Sequence, residues 1–157
     1  MIEPLKFWIY QNNPIFSIDD IFRLNSNKAV YGFIYCVTFT DNLRYLGKKA
    51  LFEVRTMHCL KDNQKRQGHV CFLKKKINHK FEHFEQVKFQ TDWLNYQGSC
   101  QLCRKLQAKE KKILAFAESK RQLTYLENKY LFKYDILERE NFLNSNIEGR
   151  YFRGNLV

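Results

Sequence analysis

The sequence predicts an α/β fold: a small antiparallel three-stranded sheet flanked by helices, with an N-terminal appendage and a basic insertion. Three observations carry that expectation. Residues 30–39 are rich in β-branched and aromatic side chains and apolar on both faces, as a central strand requires. Thr40-Asp41-Asn42 then supplies turn chemistry, and residues 43–49 read as a second strand, which gives a hairpin. Further on, Ser119-Lys120-Arg121-Gln122 has the Ser-x-x-Gln form of a capping box. Leu123, Leu126, Tyr130, Tyr134 and Leu137 follow it at steps of three and four, one apolar helix face with Glu127 at its edge.

The remaining elements follow in chain order. Residues 1–29 mix Phe7, Trp8, Tyr10, Phe16 and Phe22 with Asn and two prolines. Ser17, followed by Asp19 and Asp20, suits a helix start, because serine caps and acids favour a first turn. This segment is expected as a short helical appendage on a domain spanning 30–157. From Ala50 a helix is expected through Glu53 and Arg55. Residues 60–90 are polar and basic, within an insertion placed at about 56–98. Residues 92–99 read as an aromatic-rich loop ending in a turn, 102–108 as a helix and 111–116 as the third strand.

Composition bounds the function. With 157 residues, 45% of them hydrophobic, the chain has enough apolar surface for one compact core, which excludes a disordered protein. No apolar run approaches ~18 residues, and the N-terminus lacks a signal peptide's basic start and apolar stretch. A soluble, cytoplasmic protein is the expectation. The net charge of +11 is concentrated: residues 42–80 hold eleven basic and two acidic side chains. A local excess of that size suits a polyanion surface, with nucleic acid the commonest polyanion. A membrane surface is disfavoured, because the basic stretch is not one amphipathic helix.

The five cysteines, at 36, 59, 71, 100 and 103, are odd in number and read as reduced. Cys100 and Cys103 form a lone C-x-x-C downstream of His58, Cys59, His69 and Cys71. A structural Zn²⁺ needs four such ligands in a tetrahedron. The Cys59–Cys71 spacing matches no standard finger, so ordinary thiols are the favoured reading over zinc.

Two features of the hairpin exceed what packing demands: Gly32-Phe33-Ile34-Tyr35 on the first strand and Tyr45-Leu46-Gly47 on the second. Arg55 falls ten residues after Tyr45, Glu127 lies on the late helix, and Asn144 follows Glu127 by seventeen. Together these resemble the GIY-YIG nuclease superfamily, with Phe-Ile-Tyr and Tyr-Leu-Gly standing for its two triplets. The resemblance extends to small phage-encoded members through Lys48-Lys49, the segment from Asp92-Trp93 to Tyr96-Gln97-Gly98-Ser99, Tyr125-Leu126-Glu127, and Leu143-Asn144-Ser145-Asn146-Ile147. It covers about residues 30–153.

The resemblance implies a metal-dependent endonuclease that hydrolyses DNA, leaving 5′-phosphate and 3′-hydroxyl ends. Its cofactor would be one Mg²⁺ (or Mn²⁺) held by Glu127, since Mg²⁺ needs only one or two carboxylates. Arg55 would clamp non-bridging phosphate oxygens. Tyr35 would serve as general base, its pKa lowered from about 10 by Lys48, Lys49 and the metal. Tyr45 would orient the site and Asn144 support it. Lys48, Lys49, His58, Lys74, Lys75, Lys76, Trp93, Tyr96 and Ser99 are the expected DNA contacts. The partner is double-stranded DNA, with a homodimer left open and host cytoplasm the location if the protein is phage-encoded. Homing and host-DNA degradation share this chemistry. A non-catalytic nucleic-acid-binding protein on the same scaffold is the alternative.

A shared site also requires Tyr35 and Tyr45 on one face of the hairpin. Side chains alternate, so a two-residue turn pairing Thr40 with Leu43 would separate them. The expected connection is therefore a three-residue turn, Thr40 to Asn42, with Asn42 left-handed and Phe39 opposite Leu43.

Overall fold

The computed structural model describes residues 5–58, 71–77 and 80–155, with the backbone only for 71–77 and 80–84. Its elements are β1 (Trp8–Tyr10), β2 (Asn13–Ile15), α1 (Ile18–Leu24), β3 (Gly32–Phe39), β4 (Arg44–Ala50), β5 (Phe52–His58), β6 (Cys71–Ile77), β7 (Lys80–Gln90), β8 (Ala108–Ala117), α2 (Lys120–Lys133), β9 (Asn146–Ile147) and β10 (Tyr151–Phe152). The described residues divide into two units, one of Met1–Leu51 with Asp92–Val157 and one of Phe52–Thr91.

In the first unit the β3–β4 hairpin has the expected turn. Phe39 N–H donates to Leu43 O (2.8 Å), Asn42 N–H to Phe39 O (3.0 Å), and Asn42 has φ 58°. The register then pairs Tyr35 with Gly47 and Val37 with Tyr45, which puts both tyrosines on one face. Ile34, Cys36, Leu46 and Lys48 take the other face. There Ile34 and Leu46 pack with Leu123 and Leu131 of α2, and with Ile136, Leu137, Phe142 and Ile147 beyond it. Ser119 caps α2 as expected, its Oγ accepting from Gln122 N–H, while Gln122 Oε1 reaches back to Glu118 N–H.

The sheet has five strands rather than the expected three, in the order β2-β1-β8-β3-β4. Residues 8–15, expected as part of a helical appendage, form a tight hairpin around Gln11 and Asn12, both at positive φ. Its strand β1 runs parallel to β8. Burial explains the addition: the Trp8 indole is fully buried against Phe33 and Tyr35, and its Nε1 donates to Trp93 O (2.9 Å). Without β1, strand β8 would leave an unpaired edge. The helix start at Ser17 is present, with a complete capping box to Asp20.

Two expected helices are absent. Glu53 and Arg55 lie on strand β5, because Phe52, Val54 and Thr56 alternate with polar residues and pair along β7. Residues 102–106 make only a single turn, tied by Gln97 Nε2 to Cys103 O and Leu106 O. The reduced state expected for all cysteines is also corrected. Cys100 and Cys103 have Cα atoms 5.3 Å apart, within the span a disulfide bridges, and are bonded.

The second unit is a three-stranded antiparallel sheet in the order β5-β7-β6. It takes in most of the basic insertion; residues 92–98 belong to the first unit. Among the described residues, no helix is long and apolar enough to cross a membrane.

Candidate active site

Strand β4 is the end of its sheet, and an end strand exposes unpaired backbone groups. Residues 141–144 cover them. Arg44 N–H donates to Asn141 O and Leu143 N–H to Arg44 O (2.7 and 2.8 Å). The buried Asn144 side chain then does for Leu46 what a further strand would do. Its Oδ1 accepts from Leu46 N–H (3.1 Å) and its Nδ2 donates to Leu46 O (2.7 Å). Arg153 fastens this segment, its guanidinium donating to the carbonyls of Ile136, Arg139, Phe142 and Asn144.

On one face of the hairpin stand the tyrosines. The Tyr35 and Tyr45 rings are 6.3 Å apart, with Tyr96 edge-on to Tyr35 at 5.8 Å. Tyr35 is 1% exposed, and its hydroxyl lies against Gly47. Burial pushes its pKa well above the usual tyrosine value, helped by Tyr96, Tyr45 and Glu127. Without a metal, burial therefore works against the lowered pKa expected of Tyr35. Tyr45 is half-buried, and its Oη lies 2.6 Å from Ser99 Oγ. Burial raises its pKa too, while the Ser99 bond works against the rise. Lys49 donates to Asp92 Oδ1 (2.6 Å) and rests over the Tyr96 ring.

On the opposite face Lys48 crosses to α2. Its Nζ is 2.8 Å from Glu127 Oε2 and 3.2 Å from Thr124 Oγ1, acceptors one helical turn apart. Glu127, 22% exposed, lines a cavity of about 660 Å³ together with Tyr45, Lys48, Ser99, Thr124 and Asn144. The two faces therefore meet in one polar opening at β4. A family model described as "Putative endonuclease segE, GIY-YIG domain" matches residues 8–147.

The chain belongs to the GIY-YIG endonuclease family. No curated protein and no solved structure matches it. Its GIY-YIG domain brings Tyr35, Tyr45, Lys48, Lys49, Tyr96, Ser99, Glu127 and Asn144 into the first unit. Trp93 is there as well, but at 1% exposure it packs on Phe33 and presents no ring face to DNA, which corrects its expected role. Arg55 and His58 lie on β5 of the second unit. The Arg55 guanidinium pairs with Glu53 and lies 5.2 Å from the Phe89 ring. Lys74, Lys75 and Lys76 are on β6, where only the backbone is described. Of the suggested zinc ligands, Cys59 and His69 lie outside the described residues. Among those described, no three His, Cys, Asp or Glu side chains gather as a metal site.

Sequence reasoning missed Thr124, Asn128, Glu148 and Arg150, which also line the cavity. A signal existed for two of them: Thr124, Glu127, Asn128 and Leu131 sit at i, i+3, i+4 and i+7, a second stripe beside the apolar one. The residues present fit a hydrated Mg²⁺. Glu127 supplies one hard carboxylate, the cavity has room for the waters that Mg²⁺ retains, and Asn128 Oδ1 is a buried oxygen with no hydrogen-bond partner among the described residues.

Proposed function

We propose that the protein is a metal-dependent endonuclease that hydrolyses phosphodiester bonds of double-stranded DNA at the Glu127 cavity. The observation that carries this reading is that Tyr45, Lys48, Glu127 and Asn144 line one cavity in a chain of the GIY-YIG family. Glu127 would hold one Mg²⁺ or Mn²⁺, which when bound supplies charge relief at the phosphate and a lower pKa for nearby hydroxyls. Lys48 neutralises Glu127 and keeps α2 in register with β4. Arg55, on β5 of the second unit, carries a guanidinium matched to phosphate geometry, and we assign it a DNA-phosphate contact there. Asn144 acts through Leu46 and so is a positioning residue.

Burial favours Tyr45 of the two tyrosines as the base. A general base must reach the water that it activates. Tyr35 is sealed beneath Gly47, whereas Tyr45 lines the cavity. We therefore move the base from Tyr35 to Tyr45, with Ser99 orienting its hydroxyl and Tyr35 packing behind it. Tyr45→Phe should then lower the cleavage rate by about 10²–10⁴-fold, with Tyr35→Phe costing far less. The reverse order would return the role to Tyr35.

The direct test is supercoiled plasmid incubated with the protein, with and without Mg²⁺. Metal-dependent conversion to nicked or linear DNA is the result expected. Binding without any conversion, across Mg²⁺ and Mn²⁺, would favour a non-catalytic DNA-binding protein. One such site per chain cuts one strand, so linear product appearing without nicked precursor would mark the homodimer that we attach to this reading. Phage homing or degradation of host DNA are the roles we assign to such an activity, and DNA sequence preference in the same assay separates them.

A further inference from the structure

We propose that Arg150 is a DNA-phosphate contact in the Glu127 cavity, holding a phosphate beside the scissile one; this rests on the nuclease reading above. The described charged residues lining the cavity are Lys48, Glu127, Glu148 and Arg150. Three of them are engaged. Lys48 is committed to Glu127 and Thr124, and Glu148 accepts from Asn128 Nδ2. The Arg150 guanidinium has no ion pair or hydrogen bond among the described residues.

The backbone beneath it is nevertheless fixed. Strands β9 and β10 pair Ile147 with Tyr151 and Asn146 with Phe152, leaving Glu148, Gly149 and Arg150 as the turn. Glu148 and Gly149 both adopt positive φ, 52° and 64°. Asn146 Oδ1 accepts from Gly149 N–H (2.9 Å), and Arg150 N–H donates to Ile147 O (3.0 Å). With the backbone already pinned, only the Arg150 side chain has to be ordered when it takes up a ligand.

Arg153, three residues further on, shows the other use of an arginine. Its guanidinium is spent on four carbonyls and serves the fold. Nothing comparable claims Arg150. Its planar fork suits the paired oxygens of a phosphate. The cavity wall is otherwise balanced or acidic, so a polyanion entering it needs this cation.

The test uses Arg150→Ala and Arg150→Lys in the full chain, with thermal melting as the check on folding. Binding to a fluorescent duplex is titrated in EDTA from about 50 to about 200 mM salt, and Mg²⁺-dependent cleavage is followed at sub-saturating DNA. Arg150→Ala should weaken binding about tenfold, lower the log–log salt slope by about 0.9, and slow cleavage by the same factor. Arg150→Lys should keep the slope and recover part of the affinity. Wild-type affinity and slope in Arg150→Ala would overturn the proposal, as would weaker binding at an unchanged slope, since a lost phosphate contact must release fewer counterions. Failure of the wild-type protein to cleave would count against the nuclease reading alone, because the EDTA titration still decides Arg150.

Discussion

A Cβ at Gly47 would stand 2.7 Å from the Tyr35 hydroxyl and 3.1 Å from the Tyr45 ring, closer than carbon atoms pack. The glycine of Tyr45-Leu46-Gly47 is thus required by the tyrosines' own packing, since its φ lies outside the left-handed region. Gly47→Ala should cost about 1–3 kcal/mol from overpacking, read by denaturant melts, and should slow cleavage by tilting Tyr45. Asn144→Asp keeps shape and volume but loses the N–H that reaches Leu46 O, and leaves that carbonyl facing a second oxygen. A loss of about 1–3 kcal/mol is expected, with cleavage falling as β4 loosens. Tyr35 adds a pH signature. Its folded pKa is raised by burial, so the folded chain holds that proton more tightly than the unfolded chain. The stability linked to it is full below about pH 10 and is lost as pH climbs past that value. Tyr35→Phe should flatten the alkaline fall in melting temperature; an unchanged profile would place its cause elsewhere.

Among the elements, those with local signals were legible. The β3–β4 turn followed from parity and from Asn42's tolerance of positive φ, and α2 from Ser119 and its three-four stripe. The first two strands were not legible, because three residues are too few to display a period of two. What makes them strands is Trp8 sealing against Trp93, a contact 85 residues away in sequence. Strand β5 was hidden by the same kind of dependence: Arg55 is extended because β7 pairs with it from beyond residue 80. Within the site, the motif residues could be read from their order and spacing. Arg150 and Glu148 could not, since nothing in a lone turn residue says which cavity the β9–β10 hairpin will border. Lys111 belongs with them. It is buried over the Trp8 ring, donates to Leu5 O and Leu94 O, and burial lowers its pKa to about 8. Lys111→Met should free the N-terminal segment from the 92–99 loop, seen as faster amide exchange at Trp8 and Trp93.

Along the whole sequence, most of the excess positive charge and the proposed metal carboxylate lie on different segments. Residues 42–80 hold eleven of the 27 basic side chains, while the carboxylate proposed for the metal sits on α2. Binding and cleavage should therefore respond to different substitutions. Replacing Lys74, Lys75 and Lys76 together should weaken DNA binding and flatten its salt dependence, each lost contact changing the slope by roughly 0.9. The measurement that tests the central claim most directly is Mg²⁺-dependent cleavage by Glu127→Ala, run beside binding of the same duplex. We expect cleavage to vanish while affinity stays equal or rises, because one negative charge no longer repels the phosphates. Undiminished Mg²⁺-dependent cleavage by Glu127→Ala would contradict the proposed site.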